Sequence, residues 1–163
     1  MLRMLGLLLV VVALAGPGRA CHDHRGPHLP VVRVIDGDTV VLDVPDLPQP
    51  LGTSLSLRIL GVDAPEIHRA QCADERRRGR AARDFTQAFV DWALSPEDVA
   101  VRLCGWDKYG GRVVGDVLLY ENRSAYATPT MLLSHELIAA GHAVYYSGSG
   151  PRMDWCNAVV VNP

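Results

Sequence analysis

The spacing of hydrophobic residues constrains the fold of this chain more than any other feature of its sequence. Residues 31–44 and 54–59 are rich in valine and leucine, and their hydrophobic residues recur at every second position, as at Val40 and Leu42. A period of two is typical of β-strands with one buried face. Gly37 interrupts the first segment, which predicts a turn or a bulge at that point.

The hydrophobic pattern changes to a helical period in two later segments, residues 74–94 and 131–140. In the first segment apolar residues recur at intervals of three and four, which predicts an amphipathic helix. In the second, Thr130 is placed to open a helix and Gly141 to close it. The sequence therefore predicts two helices, separated by further strands.

Those further strands are predicted over residues 99–103 and 112–120. The order strands, helix, strands, helix predicts a mainly β fold with helices, of the α+β class. It favours a small closed barrel with helices packed on it over a doubly wound parallel sheet. With 163 residues, 48% of them hydrophobic, the chain is long enough for one domain with its own core. We assign that domain to residues 31–163.

The first twenty residues have the pattern of a signal peptide. Arg3 provides a positive start, residues 4–15 form an apolar run, and Gly18 and Ala20 are small residues at the positions that a signal peptidase reads. Twelve apolar residues are too few to span a bilayer. We expect export to the periplasm or the exterior, with cleavage near Ala20 and no membrane span in the mature chain.

The mature chain would begin with Cys21 and a polar leader over residues 21–30. This leader holds three histidines and has no hydrophobic period, which predicts a flexible segment. Lipid attachment to Cys21 is an alternative, but Gly18 stands where a lipoprotein signal has a bulky aliphatic residue. The chain has four cysteines without a CxxC pair, so export favours disulfides over metal ligation, with three pairings open.

The net charge limits the kind of partner that the chain can hold. It is −2 over the full sequence, and loss of Arg3 and Arg19 with the signal peptide makes it −4. A protein that holds nucleic acid tightly usually presents a broad positive face. The average charge therefore argues against a protein that coats nucleic acid. A locally basic cleft is still compatible with this average charge.

The first cluster of polar residues is Asp36-Gly37-Asp38, which lies in an otherwise apolar segment. Two carboxylates so close together are costly unless a cation or hydrogen-bond donors meet them. The alternative is a turn in which the aspartates bond to their own backbone. The motif alone does not decide between a cation site and a turn.

The second cluster joins Arg58 to Asp63 and Glu66 across a short turn. Pro65 forces Ala64 into an extended conformation, in which its carbonyl can face a site. Oxygen-rich groups of this kind suit calcium or magnesium. The alternative is a capped strand end with a surface ion pair, which would contribute little to stability.

The third cluster is a loop that presents Lys108, Tyr109 and Arg112 around Gly110 and Gly111. Lysine and arginine are the natural partners of phosphate, and arginine binds it with two donors. A basic hairpin turn is the alternative for this loop by itself. The three clusters together provide two sets of acidic oxygens and two arginines, which is what metal-assisted cleavage of a phosphodiester requires.

In this order the three stretches resemble the signature motifs of the staphylococcal nuclease (thermonuclease) family. The resembling residues are 35–39, then Arg58 with 62–66, then 107–112, and the resemblance extends from about Val31 to Tyr146. It implies a five-stranded OB-fold barrel with two or three packed helices. It also implies calcium-dependent hydrolysis of DNA and RNA to products with 3′-phosphates.

The resemblance also implies a role for each matching residue. The carboxylates of Asp38 and Asp63 and the carbonyl of Ala64 would bind the metal, with Asp36 as a supporting residue beside it. Glu66 would activate water, and Arg58 and Arg112 would clamp the phosphate. Lys108 and Tyr109 would contact a terminal phosphate. Gly111 is an extra residue relative to the family pattern, which changes the approach of Arg112 to the phosphate.

Two further expectations follow from the same resemblance. Tyr145 lies near the family's base-stacking tyrosines but out of register with them, so it is a candidate stacking residue, with a half-buried strand as the alternative. A bridge between Cys72 and Cys156 would tie the tail to the loop after Glu66.

We therefore expect an exported, monomeric endonuclease with one divalent cation, Ca²⁺, and no stable protein partner. Its substrates would be DNA and RNA, preferably single-stranded. The alternative is a noncatalytic OB-type module that binds nucleic acid or a protein partner.

Overall fold

The computed structural model describes residues 20–25, 30–45, 52–92, 98–108, 110–121 and 127–158, which form nine strands and two helices. The elements are β1 (His22–Arg25), β2 (Val31–Asp36), β3 (Thr39–Asp43), β4 (Ser54–Ile59), β5 (Val62–Asp63), α1 (Ala73–Asp91), β6 (Val99–Trp106), β7 (Arg112–Leu119), β8 (Met131–Leu132), α2 (Leu133–Ala139) and β9 (Val144–Tyr145). Over these ranges, no helix is both long and apolar enough for a membrane span.

Seven of the strands form one mixed sheet. Its order is β1-β6-β7-β4-β3-β2, with β8 paired to β7, while β5 and β9 form a separate two-stranded sheet. Among the strand pairs of the described residues, only β4 and β7 run parallel, and the chain between them includes α1 and β6. The architecture confirms the predicted α+β class and is consistent with an OB-fold. Within the described residues the path of paired strands in the large sheet runs from β1 to β2.

The hairpin between β2 and β3 confirms the turn predicted at Gly37. A Cβ atom at Gly37 would lie 2.6 Å from the Cβ of Ala82 on α1, so only glycine allows the helix to approach this closely. The hydroxyl of Thr86 on the same helix donates a 2.6 Å hydrogen bond to the Gly37 carbonyl. The turn that carries Asp38 is therefore fixed against α1.

The hydrophobic core lies between the large sheet and the two helices. The alternation predicted from sequence places Leu57 and Ile59 of β4 inside, with at most 1% of their surface exposed. The helices contribute Ala82 and Phe89 from α1 and Leu137 from α2. Burial of this surface is the main stabilising term for the fold.

The leader predicted as flexible over residues 21–30 has regular structure at its start. β1 pairs antiparallel with β6, and Cys21 forms a disulfide with Cys104. Asp23 accepts a 2.6 Å hydrogen bond from Arg102 on β6. A strand held by backbone hydrogen bonds, an ion pair and a disulfide needs no hydrophobic period of its own, so the hydrophobic pattern does not reveal β1. Residues 26–29 lie outside the described ranges.

The second helix begins later than predicted, because Met131 and Leu132 form β8. The hydroxyl of Thr130 bonds to the Leu119 carbonyl and does not cap the helix. Instead Asp116, a buried residue of β7, accepts hydrogen bonds from the backbone N–H and the hydroxyl of Ser134. A carboxylate from a distant strand thus provides the acceptor expected from a local cap.

The tail after β9 packs against α1. A disulfide joins Cys72 to Cys156, as the family resemblance implies, and Trp155 is buried with 3% of its surface exposed. Arg78 of α1 donates a 3.0 Å hydrogen bond to the carbonyl of Ala158. Residues 151–158 are therefore held against the body of the protein.

We expect the Cys72→Ser/Cys156→Ser variant to lose about 3 kcal/mol of unfolding free energy, because the bridge spans 84 residues and restricts the unfolded chain. Urea denaturation of the oxidised protein measures the loss. The Cys21→Ser/Cys104→Ser variant provides a comparison. Its bridge spans 83 residues, so loss of that bridge should lower the unfolding free energy by a similar amount. An unchanged midpoint in the first variant would contradict the constraint on the tail.

Candidate active site

Asp38 is the first carboxylate of the candidate site and is almost fully buried, with 3% of its surface exposed. Its Oδ2 accepts a 2.8 Å hydrogen bond from the backbone N–H of Ala64, and its Oδ1 accepts one from the hydroxyl of Thr39. Arg58 forms an ion pair with the same carboxylate. The hairpin turn is thereby joined to the segment that follows β5.

Asp63 is the second carboxylate, at the end of β5, with 1% of its surface exposed. Its Oδ2 accepts a 3.2 Å hydrogen bond from the backbone N–H of Met153 in the tail. Nη2 of Arg58 lies 3.7 Å from its Oδ1. Asp38 and Asp63, separated by 25 positions in the sequence, therefore meet at one guanidinium group.

Arg58 projects from β4 between these carboxylates and also donates a 3.1 Å hydrogen bond to the Val62 carbonyl. Burial, followed by the positive charge of Arg152, lowers the pKa of the Arg58 guanidinium to about 10. The side chain is still a cation at neutral pH. It stabilises two buried carboxylates that would otherwise be costly.

Glu66 lies in the loop after β5, which is fixed to the start of α1. The backbone N–H of Glu66 donates to Oε1 of Glu75, and that of Gln71 donates to Oε2. A Cβ atom at Gly79 would lie 2.7 Å from the carbonyl oxygen of Glu66, so glycine permits this close contact. Glu75 was not predicted as a site residue, although an acidic residue three positions after the N-cap Cys72 is a usable signal.

Arg112 begins β7, beside the loop over residues 107–112. Its guanidinium pairs with Asp107, and Arg112 lies opposite Ser56 in the parallel register of β4 and β7. Its positive charge is among the causes, after burial and the charge of Arg152, that lower the pKa of Arg58, so the two side chains are near enough for their charges to interact. Asp107 is the ion-pair partner of Arg112 in the described part of the chain.

Two of the remaining predicted residues lie on β9 or against the loop that follows it. Nζ of Lys108 donates a 3.2 Å hydrogen bond to the carbonyl of Gly148, which links two loops. Tyr145 of β9 lies opposite Val62 and has 75% of its surface exposed. Tyr109 lies outside the described residues.

Asp36 lies at the end of β2, and its Oδ1 is buried without a hydrogen-bond partner in the described part of the chain. Burial, followed by the negative charge of Glu66, raises the pKa of the Asp36 carboxyl above its ordinary value. Asp36 and Glu66 are thus near enough for their charges to interact.

A further cation of the site, Arg152 in the tail, lies outside the three polar clusters of the sequence. Its Nε lies 2.6 Å from Oδ1 of Asp63, and its Nη1 lies 2.8 Å from Oε1 of Glu66. Burial acts to lower the pKa of Arg152, but these hydrogen bonds outweigh it and raise the pKa above the ordinary value. No local pattern marks Arg152, because its position depends on the packing of the tail.

The oxygen donors of this site fit a hard divalent cation that takes few protein ligands. Among the described residues, no three His, Cys, Asp or Glu side chains are arranged to hold a metal by themselves. Asp38 and Asp63 meet at one point, and the unpartnered Oδ1 of Asp36 adds a further acceptor nearby. Cations such as calcium complete their coordination with backbone carbonyls and water.

A model of a known protein family matches much of the chain. Residues 56–155, well over half of the chain, match the model of the staphylococcal nuclease homologue family. The match includes Arg58, Asp63, Glu66 and Arg112 and begins after Asp38. No curated protein matches the chain. The matched length, the strand order and the clustered acidic and arginine residues agree, and the chain belongs to the staphylococcal nuclease homologue family.

Proposed function

We propose that the protein is an exported, divalent-cation-dependent endonuclease that hydrolyses phosphodiester bonds of DNA and RNA with little sequence preference and leaves 3′-phosphates. The observation that carries the proposal is the meeting of Asp38 and Asp63 at Arg58, with Glu66 beside them, in a chain of the nuclease homologue family. These are the groups that metal-assisted hydrolysis needs.

The carboxylates of Asp38 and Asp63 and the carbonyl of Ala64 would hold one Ca²⁺ ion. When bound, this ion polarises a phosphate oxygen and favours ionisation of water. Both carboxylates are buried and already fixed by hydrogen bonds from Ala64 and Met153. Their positions are therefore set before substrate arrives, which reduces the cost of reorganisation.

Glu66 is the residue that would accept the proton of the attacking water. Its side chain is partly accessible, with 28% of its surface exposed, so water can reach it. A glutamate is a carboxylate at neutral pH and can act as a general base. The contacts of Glu75 and Gly79 with the Glu66 backbone hold this base in place.

Arg58 and Arg112 would bind the phosphate and stabilise the negative charge that grows on its oxygens. Arg58 is fixed between the carboxylates, whereas 36% of the Arg112 side chain is exposed. Arg112 would exchange its contact with Asp107 for a phosphate oxygen. No covalent nucleophile is needed for this reaction.

The remaining candidates would bind the nucleotide chain. Lys108 and Tyr109 would contact a terminal phosphate, and the exposed ring of Tyr145 offers a surface on which an unpaired base can stack. Stacking requires a base that has left the duplex, which is the reason that we propose a preference for single strands. Arg58, Lys108 and Arg112 supply the local positive charge that the average of the chain lacks.

Export is supported by the signal-peptide pattern of the first twenty residues and by the two disulfides. Disulfides are typical of proteins in oxidising compartments.

The proposal is tested by digestion of labelled single-stranded DNA with calcium. We expect cleavage that stops when a chelator removes the cation and resumes when calcium is restored in excess. Treatment of the products with alkaline phosphatase should then change their mobility by removing 3′-phosphates. Salt-sensitive binding of the oligonucleotide without cleavage under any divalent cation would indicate a noncatalytic OB-type binding module instead.

A further inference from the structure

The tail brings a positive charge to the carboxylates of the candidate site. The backbone around Arg152 is fixed by the Cys72–Cys156 bridge, by the buried ring of Trp155 and by the hydrogen bond from Met153 to Asp63. Arg152 is thus attached to a backbone segment with several independent anchors. Its placement does not depend on the side-chain contacts alone.

The guanidinium of Arg152 binds two carboxylates at once. It contacts Asp63, which has 1% of its side chain exposed, and Glu66, which has 28% exposed. Asp63 therefore receives both the Arg152 side chain and the Met153 backbone N–H from the tail, in addition to the nearby charge of Arg58.

This arrangement has a consequence for any cation that approaches Asp63. Arg58 and Arg152 both carry positive charge beside that carboxylate, and like charges at short range repel one another in a partly buried site. Arg152 also uses lone pairs of Asp63 and Glu66 that would otherwise be available to a cation. Both effects oppose a cation at Asp63, so together they should weaken cation binding.

We propose that Arg152 is a positioning residue of the candidate active site. By binding the carboxylates of Asp63 and Glu66, it lowers the affinity of the site for divalent cations. This inference rests on the proposed function, because it concerns the same cation site. It assigns a role to a tail residue outside the three polar clusters that identified the site. The wild-type chain would bind calcium more weakly than its carboxylates alone allow.

Calcium binding to the purified protein, measured by isothermal titration calorimetry without nucleic acid, tests the inference. For Arg152→Gln we expect a dissociation constant about tenfold lower than that of the wild type, because one positive charge and two competing contacts are lost. For Arg152→Lys, which keeps the charge, we expect a value closer to that of the wild type. A dissociation constant for Arg152→Gln that is unchanged or higher would overturn the inference.

The matched control is Arg77→Gln, which removes the same charge from an exposed pair with Asp74 in the first turn of α1. It should leave the affinity within about twofold of the wild type. An equal gain in Arg77→Gln and Arg152→Gln would overturn the inference, since net charge alone would then explain it. Cooperative thermal unfolding of each variant checks that it is folded.

The same titration separates the inference from the proposed function. Equal calcium binding by the wild type and Arg152→Gln would overturn the inference alone. Absence of calcium binding in all four proteins would overturn both the proposed calcium dependence and the inference. Binding by Arg152→Gln with none in the wild type would support the inference in its strongest form.

Discussion

Replacing Glu66 with glutamine should lower the rate of phosphodiester cleavage by about 10²- to 10⁴-fold, the usual contribution of a general base. Glutamine has nearly the same shape but cannot accept a proton at neutral pH. It keeps an oxygen that can accept the hydrogen bond from Arg152, and the backbone contact with Glu75 is unaffected. Steady-state cleavage of labelled single-stranded DNA with saturating calcium measures the loss as a fall in kcat.

The control for this substitution is Glu121→Gln, which removes the same charge from an exposed residue after β7. It should leave kcat close to the wild-type value. If Glu66→Gln cleaved as fast as Glu121→Gln, Glu66 would not be the base, and another group would have to activate the water.

Replacing Arg58 with alanine should reduce both activity and stability. The substitution leaves Asp38 buried without its ion-pair partner and removes one of two cations beside Asp63, so we expect a loss of about 3 kcal/mol in unfolding free energy. Arg58 would also stabilise the reacting phosphate, so its loss should lower the rate of cleavage by about 10²- to 10³-fold. Urea denaturation and cleavage kinetics on the same preparation measure the two effects.

Arg112→Ala separates these two effects. The Arg112 side chain is more exposed than that of Arg58, with 36% against 15% accessible, and it pairs with one carboxylate, Asp107, which is 9% exposed. Arg58 stands beside two carboxylates that are buried more deeply. We therefore expect Arg112→Ala to slow cleavage by about 10²-fold or more while losing less unfolding free energy than Arg58→Ala. A loss of stability in Arg112→Ala as large as that in Arg58→Ala, or full activity in Arg58→Ala, would contradict the assignment.

Local patterns in the sequence predict the parts of the fold that local forces determine. The hairpin around Gly37, the strand β4 and the helix α1 follow from a period of two, a turn residue and a period of three to four. The strands β1, β5 and β9 do not, because each is short and is held by partners far away in the chain. Periodicity carries no information about such pairings.

The same distinction applies to the candidate site. Asp38, Arg58, Asp63 and Glu66 could be identified because their motifs are compact and ordered, and the fold brings them together. Arg152 could not be identified, since its contacts span 86 and 89 positions and depend on how the tail packs.

Buried acceptors escaped prediction for a similar reason. Asp116 accepts a hydrogen bond from the backbone N–H of Ser134, 18 positions away, and an isolated acidic residue in a strand gives no sign of such a partner. Glu75 binds the backbone N–H groups of Gln71 and Glu66, four and nine positions before it, and only its place after the N-cap signals this role. Both residues help to fix segments around the core. Glu75 is the more relevant to function, because it bonds to the backbone of the proposed base.

The most direct test of the central claim is the rate at which the purified protein and its Glu66→Gln variant cleave labelled single-stranded DNA and RNA across a panel of divalent cations. Calcium, magnesium, manganese and a chelated reaction are compared in parallel. We expect the wild type to cleave both substrates with calcium and not with chelator, and the variant to cleave at about one hundredth of that rate or less. Cleavage that survives chelation, equal rates for the two proteins, or binding without cleavage under every cation would contradict the claim.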